Sequence, residues 1–233
     1  SGADRSMPPD ILVIVTAYNE APRIGATLDG LAAVFPGAPV WVADDGSTDA
    51  TALLAREAGA RVVRSERVIG KGAAATAAAR EALAATGDRQ EPVFVLCDGD
   101  LGESAAKLGP LVDAVRQGQA DLAVAAFTRR VGGGVGLAVG FARWAIRRRC
   151  GLQAEAPVSG QRALHARALE DVMPFAHGFG MEMGMTIDAV RAGHRVAEIE
   201  LDLTHRVTGR TLMGFLHRGR QLIDFVRVYL ARR

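Results

Sequence analysis

The sequence predicts an α/β fold with a mainly parallel central sheet, helices on both faces and a C-terminal amphipathic helix. Three observations carry this. Short β-branched runs (Ile11–Val15, Val40–Ala43, Val93–Leu96) alternate with longer stretches of helical period. Polar, acid-rich or glycine-rich turns follow those runs directly. The 233 residues, 49% hydrophobic and 23% charged, suit one sizeable globular domain and exclude a disordered or collagen-like chain.

Taken in order, Ile11–Val15 has the unbroken apolar pattern of a strand covered on both faces, and runs into Thr16-Ala17-Tyr18-Asn19-Glu20. Pro22 then sits where a first helical turn tolerates it, and Ile24, Leu28, Leu31 and Ala32 recur at helical spacing. The unit repeats from Val40. Asp44-Asp45-Gly46-Ser47-Thr48-Asp49 follows the strand, with Ser47 or Thr48 expected to cap a helix from Ala50 to Ala58 that ends at Gly59. A strand at Arg61–Arg64 leads to Gly70-Lys71-Gly72, which opens an alanine-rich helix reaching Ala85. Next comes the strand that closes on Cys97-Asp98-Gly99-Asp100. Beyond it, Leu108–Val115 reads as helix, Asp121–Ala125 as strand, Arg129–Gly140 as a glycine-rich mobile loop and Phe141–Arg149 as a basic helix carrying Trp144. From Leu212 to Leu230 apolar residues keep helical spacing, with Arg218, Arg220, Gln221, Asp224 and Arg227 opposite. Residues 1–10 read as a tail.

Charge is unevenly spread. Residues 129–149 carry six arginines and no acid, and residues 206–233 carry seven against one acid. These two segments of +6 against a total of +2 leave −10 for the rest, the pattern expected where an anionic surface or phosphate is met. Solvated helix faces are the bland alternative. Cys97 and Cys150 are the only cysteines, without CxxC spacing, so neither a disulfide framework nor a structural zinc site is supported and a reducing, cytoplasmic setting fits. No stretch is long and apolar enough to span a bilayer, and nothing points to nucleic acid.

Asp98 and Asp100, one residue apart at a strand end, repel unless a cation lies between them, and hard oxygen ligands select Mg²⁺ or Mn²⁺. An ion held this way suits a diphosphate leaving group. An Asp- and Gly-rich surface turn is the competing reading of those four residues alone. In parallel sheets the loops after strands share one rim, so Tyr18-Asn19-Glu20, Asp44-Asp45-Gly46-Ser47 and Asp98-Gly99-Asp100 should converge there. Gly70-Lys71-Gly72 heads a helix, where free N–H groups and an ammonium suit phosphate.

The ordered set Val15–Glu20, Val42–Asp49, Gly70–Gly72 and Asp98–Leu101 resembles the nucleotide-sugar half of family 2 glycosyltransferases with the GT-A fold. The resemblance implies that Thr16, Ala17, Tyr18, Glu20 and Asp45 hold base and ribose, that Gly70 and Lys71 lie near base or diphosphate, and that Asp98 and Asp100 serve the metal. Ser159–Ala163, Gly178–Met183 and His205–Arg210 are similar to the acceptor half of polyprenyl- and dolichyl-phosphate sugar synthases and, less closely, of glucosyl-3-phosphoglycerate synthases. By the same likeness His205 completes the metal shell, and Gly160, Arg162, Gly180, Glu182, Arg206 and Arg210 meet the acceptor. Asp98, Asp100, Glu182 and Arg206 are the expected catalytic set. This chain departs from the polyprenyl group in having Ala156-Pro157-Val158 before Ser159 and Gln161 in place of an aromatic.

The implied activity moves glucose or mannose from a UDP- or GDP-sugar to a phosphate-bearing acceptor. Polyprenyl phosphate leads, and a small acceptor such as 3-phosphoglycerate is the alternative. An ionised phosphate needs arginines rather than a strong base, whereas a hydroxyl acceptor needs a carboxylate such as Glu182. Inversion follows from the first likeness and retention from the second. A sugar-phosphate nucleotidyltransferase is a weaker reading, because the loop after the first strand lacks a glycine-rich basic stretch. The resulting division is a GT-A catalytic domain over 11–210, with a donor half (11–101) and an acceptor half (102–210), followed by the helix 211–233. Peripheral contact with the inner face of the cell membrane and a homodimer are both compatible with the basic helices.

Overall fold

The computed structural model describes residues 10–87, 91–127, 136–203 and 212–232. Strand β1 (Ile11–Ala17) pairs in parallel with β2 (Val40–Asp44) and β4 (Val93–Asp98), and β3 (Arg61–Arg64) lies beside β2. The intervening stretches form α1 (Ile24–Val34), α2 (Thr51–Glu57) and α3 (Lys71–Ala84), as their periodicity predicts. Along β1 the side chains divide by period two. Val13 and Val15 join the hydrophobic cluster on one sheet face, while Leu12 and Ile14 join the cluster on the other. All four are solvent-free, which is why the run has no polar member. Each such burial stabilises the fold by roughly 1.5–3 kcal/mol.

Helix α3 lies close to the sheet because its inward face is built from Ala74, Ala75, Ala78, Ala79 and Ala82, all buried. Only such small side chains let its axis approach so near, and that sets its first residue, Lys71, beside the strand ends. The second half adds α4 (Gly109–Arg116), β5 (Leu122–Phe127), α5 (Gly136–Cys150), β6 (Arg162–His165), α6 (Ala166–Val172), α7 (Met181–Arg191), β7 (Val196–Leu201) and α8 (Leu212–Ala231). The seven strands run β3-β2-β1-β4-β6-β5-β7, with β6 antiparallel to both its neighbours and the other pairings parallel. Helices α5, α7 and α8 share a third cluster around Met183, Ile187, Phe225 and Val228.

Three expectations need adjustment. The loop read over Arg129–Gly140 lies outside the described residues up to 135, and from Gly136 the chain is already α5, about a turn earlier than the basic helix expected at Phe141. Helix α2 has no side-chain cap from Ser47 or Thr48; Ala50 holds the cap position, and Asp49 Oδ1 accepts from Thr51 N (3.0 Å) and Thr51 Oγ1 (2.5 Å) instead. Ser47 and Thr48 face the neighbouring loop, which draws their polar atoms away from the helix. The third adjustment is two strands not read in advance, β6 and β7: β6 has only four residues, and β7 alternates with acids along its partly buried face. Among the described residues no helix is long and apolar enough to cross a membrane.

Candidate functional site

Strand register builds one rim. Ala17 is level with Asp44 and Thr16 with Asp98, so the loops after β1, β2 and β4 leave the sheet together. The first two loops interlock: Asn19 N donates to Ser47 Oγ (2.9 Å), Thr48 N to Asn19 Oδ1 (2.8 Å), and Glu20 N to Thr51 Oγ1 (2.8 Å). Asn19 takes a left-handed backbone (φ 54°) to turn this corner. Tyr18 stands half-exposed above the loop. Asp44 is buried, accepting from Ser47 N and pairing with Arg64 Nε at 3.3 Å. Asp45, also buried, accepts from Ile69 N (2.7 Å) and Gly70 N (3.0 Å). Asp45 therefore fixes the turn that presents Lys71, and in this arrangement its Oδ1 is engaged with the chain itself.

Asp98 is held from three sides. Oδ1 accepts from Thr16 Oγ1 (3.1 Å) and Lys71 Nζ (2.6 Å), and Oδ2 accepts from Gln161 Nε2 (2.9 Å). The antiparallel register of Leu96 with Arg162 brings Gly160 level with Asp98, with Gln161 next along the chain. A Cβ at Gly160 would lie 2.5 Å from Asp98 Oδ2, so only glycine leaves room for that carboxylate. Asp100 Oδ1 is buried with no hydrogen-bond partner among the described residues. A buried carboxylate oxygen left unpaired costs on the order of 1–3 kcal/mol or more unless a cation meets it. Asp98 and Asp100 thus fit a hard divalent ion in donor type, and Asp100 brings the oxygen with unmet demand.

Lys71 Nζ also lies 2.6 Å from Glu182 Oε1, joining an acid of the first half to one of the second. Burial acts to lower the ammonium's pKa, but the two carboxylates outweigh it and push it well above its ordinary value. Lys71 is charged at every physiological pH. Burial, with Asp98 beside it, pushes the Cys97 thiol up, so that cysteine is a packing residue and not a nucleophile. Glu182 is buried in the first turn of α7, where the helix dipole favours an anion.

The other acceptor-half expectations fare unevenly. Arg162 does not reach the rim: its guanidinium is buried, with Nε donating to Ser159 O (2.9 Å) and NH1 to Thr186 Oγ1 (3.0 Å). Burial lowers its pKa to about 10, leaving it cationic beneath Asp98 and Glu182. The turn of the chain that brings Gln161 to Asp98 leaves Arg162 buried, with its contacts at Ser159 and Thr186. Gly180 packs beneath α8, where a Cβ would run into Val228. His205, Arg206 and Arg210 lie outside the described residues. Gln161 and Thr186 were not anticipated; the only sequence signal was that Gln161 breaks the family pattern.

Among the described residues, one His/Asp grouping has ligand atoms within 4.8 Å of one another: Asp121, His165 and His194. It lies at the opposite end of the sheet. His165 is level with Val93, the first residue of β4, five residues or about 16 Å from Asp98. Its groups are already engaged. Arg195 grips Asp121 through NH2 (3.0 Å) and its own N–H (2.7 Å), and these bonds hold the Asp121 carboxyl down to about 2. His194 Nε2 meets Asp171 (2.8 Å), and His165 Nδ1 accepts from Ala168 N (3.3 Å), capping α6. This cluster ties the residues just before β5 and β7 to the end of β6 and is separate from the Asp98 rim.

The chain matches the Glycosyl transferase family 2 profile over residues 12–169. It is 29% identical over 244 residues to an undecaprenyl-phosphate mannosyltransferase of Micrococcus luteus, covering 96% of this chain and 95% of that one. It is 32% identical over 204 residues to a glucosyl-3-phosphoglycerate synthase of Mycolicibacterium paratuberculosis, covering 76% of this chain but 59% of that longer protein. Among solved structures, the glucosyl-3-phosphoglycerate synthase of Mycobacterium tuberculosis in complex with Mn²⁺, UDP-glucose and phosphoglyceric acid superposes with a TM-score of 0.71 at 29% identity, covering 94% of this chain and 79% of that one. The same enzyme has been solved with Mg²⁺ and UDP. The fold, the rim of strand-end acids and these relationships lead to one conclusion: the chain belongs to glycosyl transferase family 2 and is a glycosyltransferase.

Proposed function

We propose that the protein transfers a hexose, glucose or mannose, from a UDP- or GDP-sugar to the phosphate oxygen of a polyprenyl phosphate, with Mg²⁺ or Mn²⁺ at Asp98 and Asp100. The observation that carries the choice of acceptor is the Lys71 bridge. Glu182, the carboxylate best placed to activate a hydroxyl, is committed to the Lys71 ammonium at 2.6 Å. A phosphate monoester needs no such activation, since its oxygen is already ionised near neutral pH. The undecaprenyl-phosphate relative, which this chain matches over nearly its whole length, supports the same acceptor class.

When bound, the ion neutralises the diphosphate leaving group as the bond to the sugar breaks. The chain's own residues do the positioning. Thr16 and Gln161 fix the two oxygens of Asp98, and Asp100 supplies an oxygen that has no other partner among the described residues. Asp45 sets the Gly70-Lys71 turn, so that Lys71 offers a cation to diphosphate oxygens when Asp98 turns to the metal. Thr16, Ala17, Tyr18 and Glu20 line the nucleotide end of the rim. His205 is assigned to the metal, and Arg206 and Arg210 to the acceptor phosphate. On this reading 11–101 is the donor half, 102–210 the acceptor half and 211–233 a helix apart from the chemistry. A second reading, transfer to 3-phosphoglycerate, is supported by the synthase structures that bind phosphoglyceric acid. It would require Glu182 to leave Lys71.

The test is incubation with radiolabelled UDP-glucose or GDP-mannose, with Mn²⁺ or EDTA, and with undecaprenyl phosphate or 3-phosphoglycerate. Label passing into butanol only with Mn²⁺ and the lipid is the expected result. A wholly aqueous product overturns the acceptor, and transfer undiminished by EDTA overturns the metal.

A further inference from the structure

Helices α5 and α8 lie side by side and leave one apolar face outside. Inward, they contribute Ala142, Ala145 and Ile146, and Phe225 and Val228, to a buried cluster with α7. Outward, α5 presents Leu137 and Trp144, which are 88% and 50% exposed, with Phe141 half-buried between them. On α8 the exposed residues Leu222, Val226 and Leu230 recur every fourth position, with Ile223 52% exposed beside them. The two stripes meet through aromatic rings: Trp144 is 4.9 Å from Tyr229 and 5.5 Å from Phe141, and the Arg149 guanidinium stacks over Tyr229 at 3.7 Å.

The charge on this face is mainly positive, with Glu155 beside Arg143 as an exposed acid. Helix α5 holds four arginines and no acid, with Arg147 and Arg148 exposed. On α8 the single acid, Asp224, is mostly covered and lies 3.7 Å from Arg227. Large apolar side chains left in water, a ring cluster at their edge and arginines alongside are the composition of a surface that sits at a headgroup boundary. A second copy of the chain is the poorer occupant, because a two-fold contact would oppose Arg147 and Arg148 to themselves or their neighbours.

We propose that the α5–α8 face docks on an anionic lipid bilayer, with Leu137, Trp144, Ile223, Val226 and Leu230 entering the interface and Arg147 and Arg148 meeting lipid phosphates. The inference extends the lipid-linked reading above, since the acceptor of that reading would reside in such a surface. Its test requires no turnover, so binding and transfer can fail independently.

The two tryptophans of the chain make the measurement specific. Trp41 is 2% exposed and covered by Arg61, so lipid-borne quenchers reach only Trp144. The protein is mixed with vesicles of phosphatidylcholine alone or of equal parts phosphatidylglycerol and brominated phosphatidylcholine. Expected are co-sedimentation with the anionic vesicles, bromine quenching of fluorescence, and loss of that quenching in Trp144→Phe while sedimentation persists. Arg147→Glu with Arg148→Glu should weaken binding by about 30-fold or more, from roughly fivefold for each arginine lost, with the reversal of charge adding to it. Both substitutions are on the surface, and the circular dichroism spectrum should be unchanged. Equal binding to neutral vesicles, binding without quenching, or self-association that shields Trp144 and abolishes vesicle binding would each overturn the proposal.

Discussion

Asp98 accepts hydrogen bonds from Thr16, Lys71 and Gln161, of which the first two come from the motif-bearing half of the chain. Gln161 is buried, so its amide has no solvent to exchange with and its hold on Oδ2 is a fixed one. Gln161→Leu should raise the Mn²⁺ concentration for half-maximal transfer by about 10-fold or more, in the range typical of groups that orient a metal ligand. Gln161→Glu should be worse, because it sets a second anion against Asp98. Unfolding midpoints measured alongside separate this from simple destabilisation. Lys71→Met should couple the fold more tightly to the metal: it removes the cation between Asp98 and Glu182, so the metal-free protein loses stability and regains more of it on adding Mn²⁺ than the parent does. Thermal melts with and without the ion would read this, and equal Mn²⁺-induced shifts in both proteins would count against it. The motifs made Asp98, Asp100 and Lys71 legible in the sequence. The sequence marked Gln161 only as a departure from the family pattern, because its bond to Asp98 comes from an antiparallel strand that arrives 63 residues later.

At the scale of elements, α3 shows how composition places chemistry. Its buried alanines bring the helix against β1 and β2, and Gly72 touches the Ala176 carbonyl so closely that any Cβ would collide with it. Ala78→Leu should cost about 1–3 kcal/mol by overpacking and should also displace Lys71 from Asp98 and Glu182. Denaturant titration checks the first effect, and donor binding the second. The alanine pattern was readable, but β6 was not: four residues whose pairing partners lie in two other strands carry too little period to announce themselves. Likewise α5 begins in a glycine-containing stretch that reads locally as loop and becomes helix because α7 and α8 give its apolar side somewhere to pack.

Across the whole molecule the two ends of the sheet do different work. The end where β1, β2 and β4 finish, and antiparallel β6 begins, gathers the candidate site, while the opposite end is tied by Asp121, Arg195, His165 and His194. Asp121 has a folded pKa of about 2 against an ordinary 3.8. Its stabilising contribution is therefore complete above about pH 4 and is lost as pH falls toward 2. Asp121→Asn should cost about 1–2 kcal/mol at neutral pH, discounted because Arg195 is solvent-exposed, and the difference from the parent should vanish below pH 2. Chemical denaturation across that range measures it. The sequence by itself determined the strand-loop-helix order, the shared rim of acids and the family, because these depend on short-range period and on motifs a few residues long. Only the tertiary structure decided that Lys71 spans Asp98 and Glu182, that Gln161 grips Asp98 while Arg162 turns inward, and that α5 and α8 form one outward apolar face. Those outcomes depend on register and packing between segments far apart in the chain, which no local pattern encodes.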